Sequence, residues 1–177
     1  MKLLMAVALI ISSAVAQDHA AITAAESVCG PAQVTFSVTP DASQHPTPQP
    51  DPDKALVFVV EDLGQCKECD GGMVGAPLVR VGADGGWVGA NRGNSYLFFS
   101  AVPGEHHLCV NWQSRFVSRS EVFAMANLTA EAGKVYYFRV RVFPGEAEFS
   151  FDLDLVNSDQ GKYLVASSAY SAAHPKK

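Results

Sequence analysis

The stretch KVYYFRVRVFPGEAEFSFDLDLV, residues 134–156, is typical of two antiparallel β-strands joined by a turn. Large apolar side chains alternate with charged ones in both halves, which is the period-two pattern of strands with one buried face. This pattern points Phe138 and Phe151 inward. When a residue of the first strand pairs with a residue of the second, the two apolar faces coincide only if the sum of the two residue numbers is odd. A slip of one residue would turn acids toward the core. With a sum of 291, Arg139 faces Asp152 on a solvated surface.

Other segments upstream share this strand-like composition. They are short, rich in β-branched and aromatic residues, and separated by Gly, Pro, Asn and Asp. These segments are 33–38, 55–62, 77–82, 87–90, 95–102, 105–112 and 121–129. One helix is predicted over 159–167, with Asn157 or Ser158 as its cap. The pattern therefore predicts a mainly all-β fold, an antiparallel β-sandwich or barrel. We prefer a sandwich of about seven or eight strands with one short C-terminal helix.

The first 16 residues have the features of a secretory signal peptide. An apolar run from Leu3 to Ile11 is followed by small residues that end at Ala16, where signal peptidase would cut. The run is shorter than the roughly 20 apolar residues that a transmembrane helix needs, so no transmembrane segment is predicted. The mature chain would start at Gln17, which lacks the thiol needed for a lipid anchor. We therefore expect export to the periplasm or the extracellular space.

Composition divides the rest of the chain into four parts. An N-terminal segment, 17–38, contains the 33–38 strand, which we predict to be an edge strand or a strap across the main domain. A linker at 39–54 holds five prolines and should be extended. The β-sandwich domain covers 55–168, and a frayed polar tail is predicted at 169–177.

The charge balance is acidic. The chain has 13 Lys and Arg against 18 Asp and Glu, which gives a formal net charge of −5. An acidic chain without basic clusters is a poor partner for nucleic acid. The size of the mature chain fits one domain that buries its own core, and we expect a monomer.

Two turn motifs stand out in the β-domain. Asp84-Gly85 supplies the positive φ angles that a tight two-residue hairpin needs. Pro103-Gly104 suits the central positions of a type II turn, in a loop longer than two residues. The glycines near Asp84 do not form a phosphate loop, because no helix follows them.

The four cysteines are predicted to form disulfides. Cys66 and Cys69 form a CxxC pattern, and a structural bridge between them is the default in an oxidising compartment. The glycines that follow oppose the helix that a redox-active CxxC requires. Four cysteines allow three connectivities, and we favour a second bridge between Cys29 and Cys109.

Residues 105–112, EHHLCVNW, raise the alternative of a metal site. In a strand the two histidines point to opposite faces, so they do not share an ion. We expect His106 to be a partly buried, hydrogen-bonded imidazole at the start of the strand. His107 and Cys109 share a face, and the alternative zinc site would be completed by Cys66 and Cys69. The preferred prediction has no metal, no cofactor and no catalytic residue.

Several motifs, in order along the chain, carry a family resemblance. They are ALVFVV at 55–60, VGADGGWVG at 81–89, NSYLFF at 94–99, VPGEHHL at 102–108, LTAEAGKVYYFRV at 128–140 and DQGK at 159–162. In these motifs the chain resembles the bacterial exported family catalogued as domain of unknown function 2846, and its strand-turn pattern is similar to PEGA modules. The resemblance implies a β-sandwich-like envelope module without established chemistry. The chain departs from it in the absent lipid-attachment cysteine, the linker and an insertion at 64–76.

The sequence thus predicts an exported, non-enzymatic structural or binding module of the bacterial cell envelope. An envelope protein or a polysaccharide is the expected kind of partner. Two alternatives stay open. One is a metal-binding or thiol-redox protein centred on the CxxC loop, and the other is a carbohydrate-binding module that uses exposed aromatic residues such as Trp87 and Trp112.

Overall fold

The computed structural model describes residues 27–64, 76–113, 123–144 and 149–176, together with Thr23. This part of the chain contains ten strands and one C-terminal helix. They are β1 (Phe36–Asp41), β2 (Ala55–Asp62), β3 (Leu78–Ala83), β4 (Gly86–Arg92), β5 (Ser95–Ala101), β6 (Gly104–Trp112), β7 (Phe123–Ala130), β8 (Val135–Pro144), β9 (Phe149–Val156), α1 (Ser158–Ser167) and β10 (Ala169–Pro175). No helix among the described residues is long and apolar enough to cross a membrane.

The strands form two sheets. Sheet A has six strands in the order β1-β10-β5-β2-β8-β9, and sheet B has four in the order β4-β3-β6-β7. All pairings are antiparallel except β10 with β5 and β2 with β8. The mainly β fold with a short C-terminal helix is therefore confirmed, with more strands than the seven or eight expected.

The main core lies between the two sheets, and a second apolar cluster lies on the outer face of sheet A. Val57 and Val59 of β2 point into the main core, while Phe58 points outward and packs under Leu164 and Val165 of α1. Because β2 is buried on both faces, its sequence is continuously apolar instead of alternating. The helix therefore covers a surface that a simple two-sheet sandwich would leave exposed.

The β8–β9 hairpin has the predicted faces but a different register. Phe138 is fully buried and Phe151 nearly so, as alternation requires. Arg139 pairs with Asp154 and not with Asp152, which instead faces Arg141. The expected pairing was therefore wrong by two residues, a shift that leaves every side chain on the same face.

The predicted polar tail at 169–177 is wrong. Residues 169–175 form β10, which lies between β1 and β5 in sheet A, and Lys177 lies outside the described residues. Ser171 is buried and its hydroxyl lies 2.7 Å from that of Ser95. The small side chains of this segment give little strand signal, so the pairing with two neighbouring strands determines its structure.

The predicted linker at 39–54 also needs correction. Its first three residues belong to β1, an edge strand of sheet A. The remainder, which we call the proline-rich strap (residues 42–54), is attached to the outer face of sheet A. The hydroxyl of Tyr96 donates a hydrogen bond to the Pro46 carbonyl at 3.1 Å. The strap is therefore part of the domain and does not separate two units.

Of the two predicted turns, one has the expected geometry. Asp84 and Gly85 have φ angles of 52° and 80°, as a tight hairpin turn between β3 and β4 requires. Gly104 has a φ of 137°, whereas a type II turn needs about 80°. The type II assignment was therefore wrong. Strands β5 and β6 belong to different sheets, so Pro103-Gly104 connects the sheets and closes no hairpin.

Helix α1 begins at Ser158, one residue before the predicted start, and Asn157 is its cap. The side chain of Asn157 accepts a hydrogen bond from the Gln160 backbone amide at 2.9 Å and caps the helix. Gly161 is unfavourable inside a helix, but a side chain at this position would collide with the ring of Tyr137. The glycine therefore lets α1 approach sheet A closely.

Candidate functional site

A disulfide joins the N-terminal segment to sheet B. Cys29 and Cys109 are bonded, with their Cα atoms 5.1 Å apart, and both are fully buried. This is the bridge that we favoured. Gly82 makes room for it, because a side chain there would collide with the Cys29 backbone. The predicted bridge between Cys66 and Cys69 lies outside the described residues.

The alternative zinc set loses a ligand through this disulfide. The sulfur of Cys109 is bonded to Cys29, whereas zinc needs the thiolate. Nδ1 of His107 lies 2.9 Å from the side-chain oxygen of Asn127. Among the residues that the structure describes, no group of three or more His, Cys, Asp or Glu side chains is placed to hold a metal ion.

The two adjacent histidines point apart, as alternation predicts. His106 is 8% exposed, and its ring nitrogens lie 2.6 Å from Oδ2 of Asp84 and 2.7 Å from the Val102 carbonyl. The hydrogen bond to Asp84 raises the pKa of His106. Both ring nitrogens are thus engaged, and His106 ties the β3–β4 turn to β6.

The two tryptophans do not form an exposed platform for a sugar. Trp112 is buried in the core between the sheets. Trp87 donates a hydrogen bond to the Pro31 carbonyl at 2.8 Å, and the Arg80 guanidinium lies 4.3 Å from the centre of its ring. Arg80 also donates to the carbonyls of Ala32 and Val34. These residues attach the N-terminal segment to sheet B, which is a structural role.

A buried acid lies at the end of β2. Glu61 has no exposed surface, and neither of its carboxyl oxygens hydrogen-bonds to a described residue. Burial raises the pKa of Glu61 well above its usual value, although the nearby amide of Gly93 and the charge of Arg92 oppose this shift. That amide lies near the carboxyl but outside hydrogen-bond geometry. Because Glu61 is enclosed, a ligand has no access to it.

The accessible candidate site is an open cleft of about 740 Å³ on the outer face of sheet A. It lies between the proline-rich strap, helix α1 and strands β2 and β8. Its lining residues are His45, Thr47, Pro48, Gln49, Phe58, Val135, Tyr137, Ser158, Lys162, Val165 and Ala166. This volume is within the range of small-molecule sites, about 300 to 1,000 Å³.

Strand register positions the aromatic floor of the cleft. Phe58 and Tyr137 are directly paired on the parallel neighbours β2 and β8, so both side chains leave the sheet on the same face. Their rings stack with centroids 5.2 Å apart and an angle of 13° between planes. The floor is therefore apolar, and the strand register holds its two rings in place.

The rim of the cleft is polar, and exposed side chains contribute to it. Lys162 on α1 is exposed, as are Thr47 and Gln49 on the strap. Among the described lining residues there is no Asp or Glu. The cleft thus combines an apolar floor with a few polar groups around it, which is typical of ligand sites.

The sequence did not identify this cleft. It predicted candidate residues on the CxxC loop and on β6, and the structure brings His107 and Cys109 to one face without forming a site there. One signal pointed to a covered outer face: Phe58 is apolar on the face opposite Val57 and Val59, so some element had to pack on it.

Comparisons with protein-family models, with curated proteins and with solved structures found no match for this chain. The resemblance to domain of unknown function 2846 therefore rests on the quoted motifs alone, and the candidate site rests on the geometry of the cleft.

Proposed function

We propose that this protein is an exported, non-enzymatic β-sandwich binding module of the bacterial cell envelope, and that the cleft on sheet A is its binding site. The observation that carries the proposal is the cleft itself, with its stacked aromatic floor and polar rim. The Cys29–Cys109 disulfide supports the export part, because such bonds persist in oxidising compartments.

The architecture supports binding in a preformed site. The floor belongs to two central strands of sheet A, and one wall belongs to α1, whose Gly161 packs against Tyr137. A rigid floor lowers the ordering cost of binding. The other wall is the strap, most of whose residues are exposed, so it has room to adjust to a ligand.

We expect the exported protein to begin at Gln17. Ala14 and Ala16 are the small residues that signal peptidase requires before its cut. Intact-mass spectrometry of protein recovered from a bacterial periplasmic fraction measures this directly. Recovery of a chain that retains Met1, or of a lipid-modified chain, would contradict the export part of the proposal.

Binding in the cleft is tested with N-phenyl-1-naphthylamine, a neutral dye that fluoresces in apolar surroundings. We expect saturable binding to the wild-type protein. In Ala166→Phe a large ring on α1 would fill the cleft, and we expect affinity to fall by about tenfold or more, equivalent to about 1.4 kcal/mol. Circular dichroism should show that the variant remains folded.

The matched control is Tyr163→Phe on the same helix. Tyr163 is 67% exposed and does not line the cleft, so this variant should bind the dye like the wild type. Equal dye binding by Ala166→Phe and the wild type would show that the cleft is not the binding site.

A further inference from the structure

We infer that the cleft takes an apolar ligand that carries one anionic group, with the apolar body on the aromatic floor and the anion beside Lys162. This inference rests on the proposed function and specifies the chemistry of the ligand. Three independent features of the described residues support it: the charge of the rim, a hydroxyl in the cleft that no described residue engages, and the apolar floor.

The charge of the lining favours an anion. Lys162 is the one Lys or Arg among the described lining residues, and it forms no ion pair with the part of the chain that the structure describes. His45 also lines the cleft, and its Nε2 lies 3.1 Å from the Ala42 carbonyl. Ser158 places the first turn of α1 at the cleft, where backbone amides favour negative charge. Asp159 also lies in that turn, but it is exposed and does not line the cleft.

Tyr137 supplies a hydrogen-bond donor. The residue is only 9% exposed and lines the cleft, and its hydroxyl hydrogen-bonds to none of the described residues. Unlike the carboxyl oxygens of Glu61, this hydroxyl oxygen is not enclosed, so it is accessible to a ligand in the cleft. Burial also raises the pKa of Tyr137, so the hydroxyl keeps its proton at neutral pH and is available to donate to an anion.

The floor determines the rest of the ligand. Phe58, Val165 and Tyr137 form the apolar part of the lining. An apolar floor with polar groups at one side suits an amphiphile whose apolar body lies on the floor while its head faces α1. A ligand with charges at both ends would have to bury one of them against the rings, which costs free energy.

The experiment compares three probes that share a ten-carbon chain: decanoate and decyltrimethylammonium, used below their micellar concentrations, and decanol, used below its solubility limit. Each probe displaces N-phenyl-1-naphthylamine from the full mature chain at low salt, since screening weakens surface charge interactions. We expect decanoate to bind about three to ten times more tightly than decanol, and decyltrimethylammonium to bind most weakly.

Substitutions in the cleft test which residues cause the preference for decanoate over decanol. Lys162→Gln should remove the preference for decanoate while leaving decanol affinity unchanged. Tyr137→Phe keeps the ring and should reduce the preference in part. Lys176→Gln removes an exposed lysine outside the cleft and should bind all three probes like the wild type.

The outcomes separate this inference from the proposed function. Three results would overturn the anionic group and leave the cleft as an apolar site. They are equal affinity for decanoate and decanol, tighter binding of decyltrimethylammonium than of decanoate, and an undiminished preference for decanoate in Lys162→Gln. Failure of all three probes to displace the dye would overturn the ligand class, and absence of saturable dye binding would overturn the proposed function as well.

Discussion

Replacing Cys29 and Cys109 with alanine should lower the free energy of unfolding by about 4 to 5 kcal/mol. The bridge joins residues 80 positions apart, and a crosslink over so long a loop strongly restricts the unfolded chain. Both cysteines are also fully buried, so their removal leaves unfilled space beside Gly82. Urea denaturation of the double variant and the wild type under oxidising conditions measures the difference.

The matched control is the pair Cys66→Ala and Cys69→Ala. The short loop that a CxxC bridge would close predicts a smaller loss, of about 2 kcal/mol. A loss below about 1 kcal/mol in the Cys29 and Cys109 double variant would contradict the assigned bridge. Thiol counting on the single variant Cys29→Ala should find one free thiol, that of Cys109.

Phe138→Ala should cost about 3 to 5 kcal/mol of stability, as expected for truncation of a large buried ring. Phe138 has no exposed surface and lies in the main core between the sheets. It pairs with Val59 on β2 and with Leu155 on β9, so the truncation leaves a cavity in the centre of sheet A. Denaturant titration monitored by circular dichroism measures the loss.

The neighbouring Arg139→Ala is the control for this position. Arg139 lies on the opposite face of β8, where its guanidinium is 3.7 Å from Asp154 on a partly exposed surface. Ion pairs of this kind contribute little, and we expect a loss under about 1 kcal/mol. Similar losses for the two variants would mean that the faces of β8 are assigned wrongly.

The sequence predicted the strands that have strong periodicity and missed what depends on distant residues. In β8 the alternation of apolar and charged side chains determines which face is buried. It does not determine the register, because pairing Arg139 with Asp152 or with Asp154 leaves the same faces together. Only the three-dimensional arrangement of the strands selects one of these two registers.

Two further features escaped prediction for physical reasons. Ser171, Ala172 and Ala173 of β10 have side chains too small to show an amphipathic pattern, so the strand is formed by its neighbours and not by its own propensity. Glu61 is the second feature, because nothing in its local sequence marks it as buried. It is fully buried close to Gly93 and Arg92, which lie about 30 positions away along the chain.

The cleft could not be predicted from local patterns at all. Its lining comes from the strap, from β2, from β8 and from α1, which are separated by more than 100 residues along the chain. The disulfide was only partly predictable, since counting cysteines left three connectivities open. The structure places the sulfurs of Cys29 and Cys109 together in a buried position, and this selects their pairing.

The pairing of β1 with β10 determines when this protein is able to fold. Phe36 faces Pro175, so the edge of sheet A joins the first described strand to the last. Contacts between residues so far apart form slowly and late, and this one has to wait until β10 has been synthesised. Sheet A thus stays incomplete while the polypeptide emerges from the ribosome. Under the proposed export, this delay would keep the chain unfolded, as a secretion channel requires, until β10 is made.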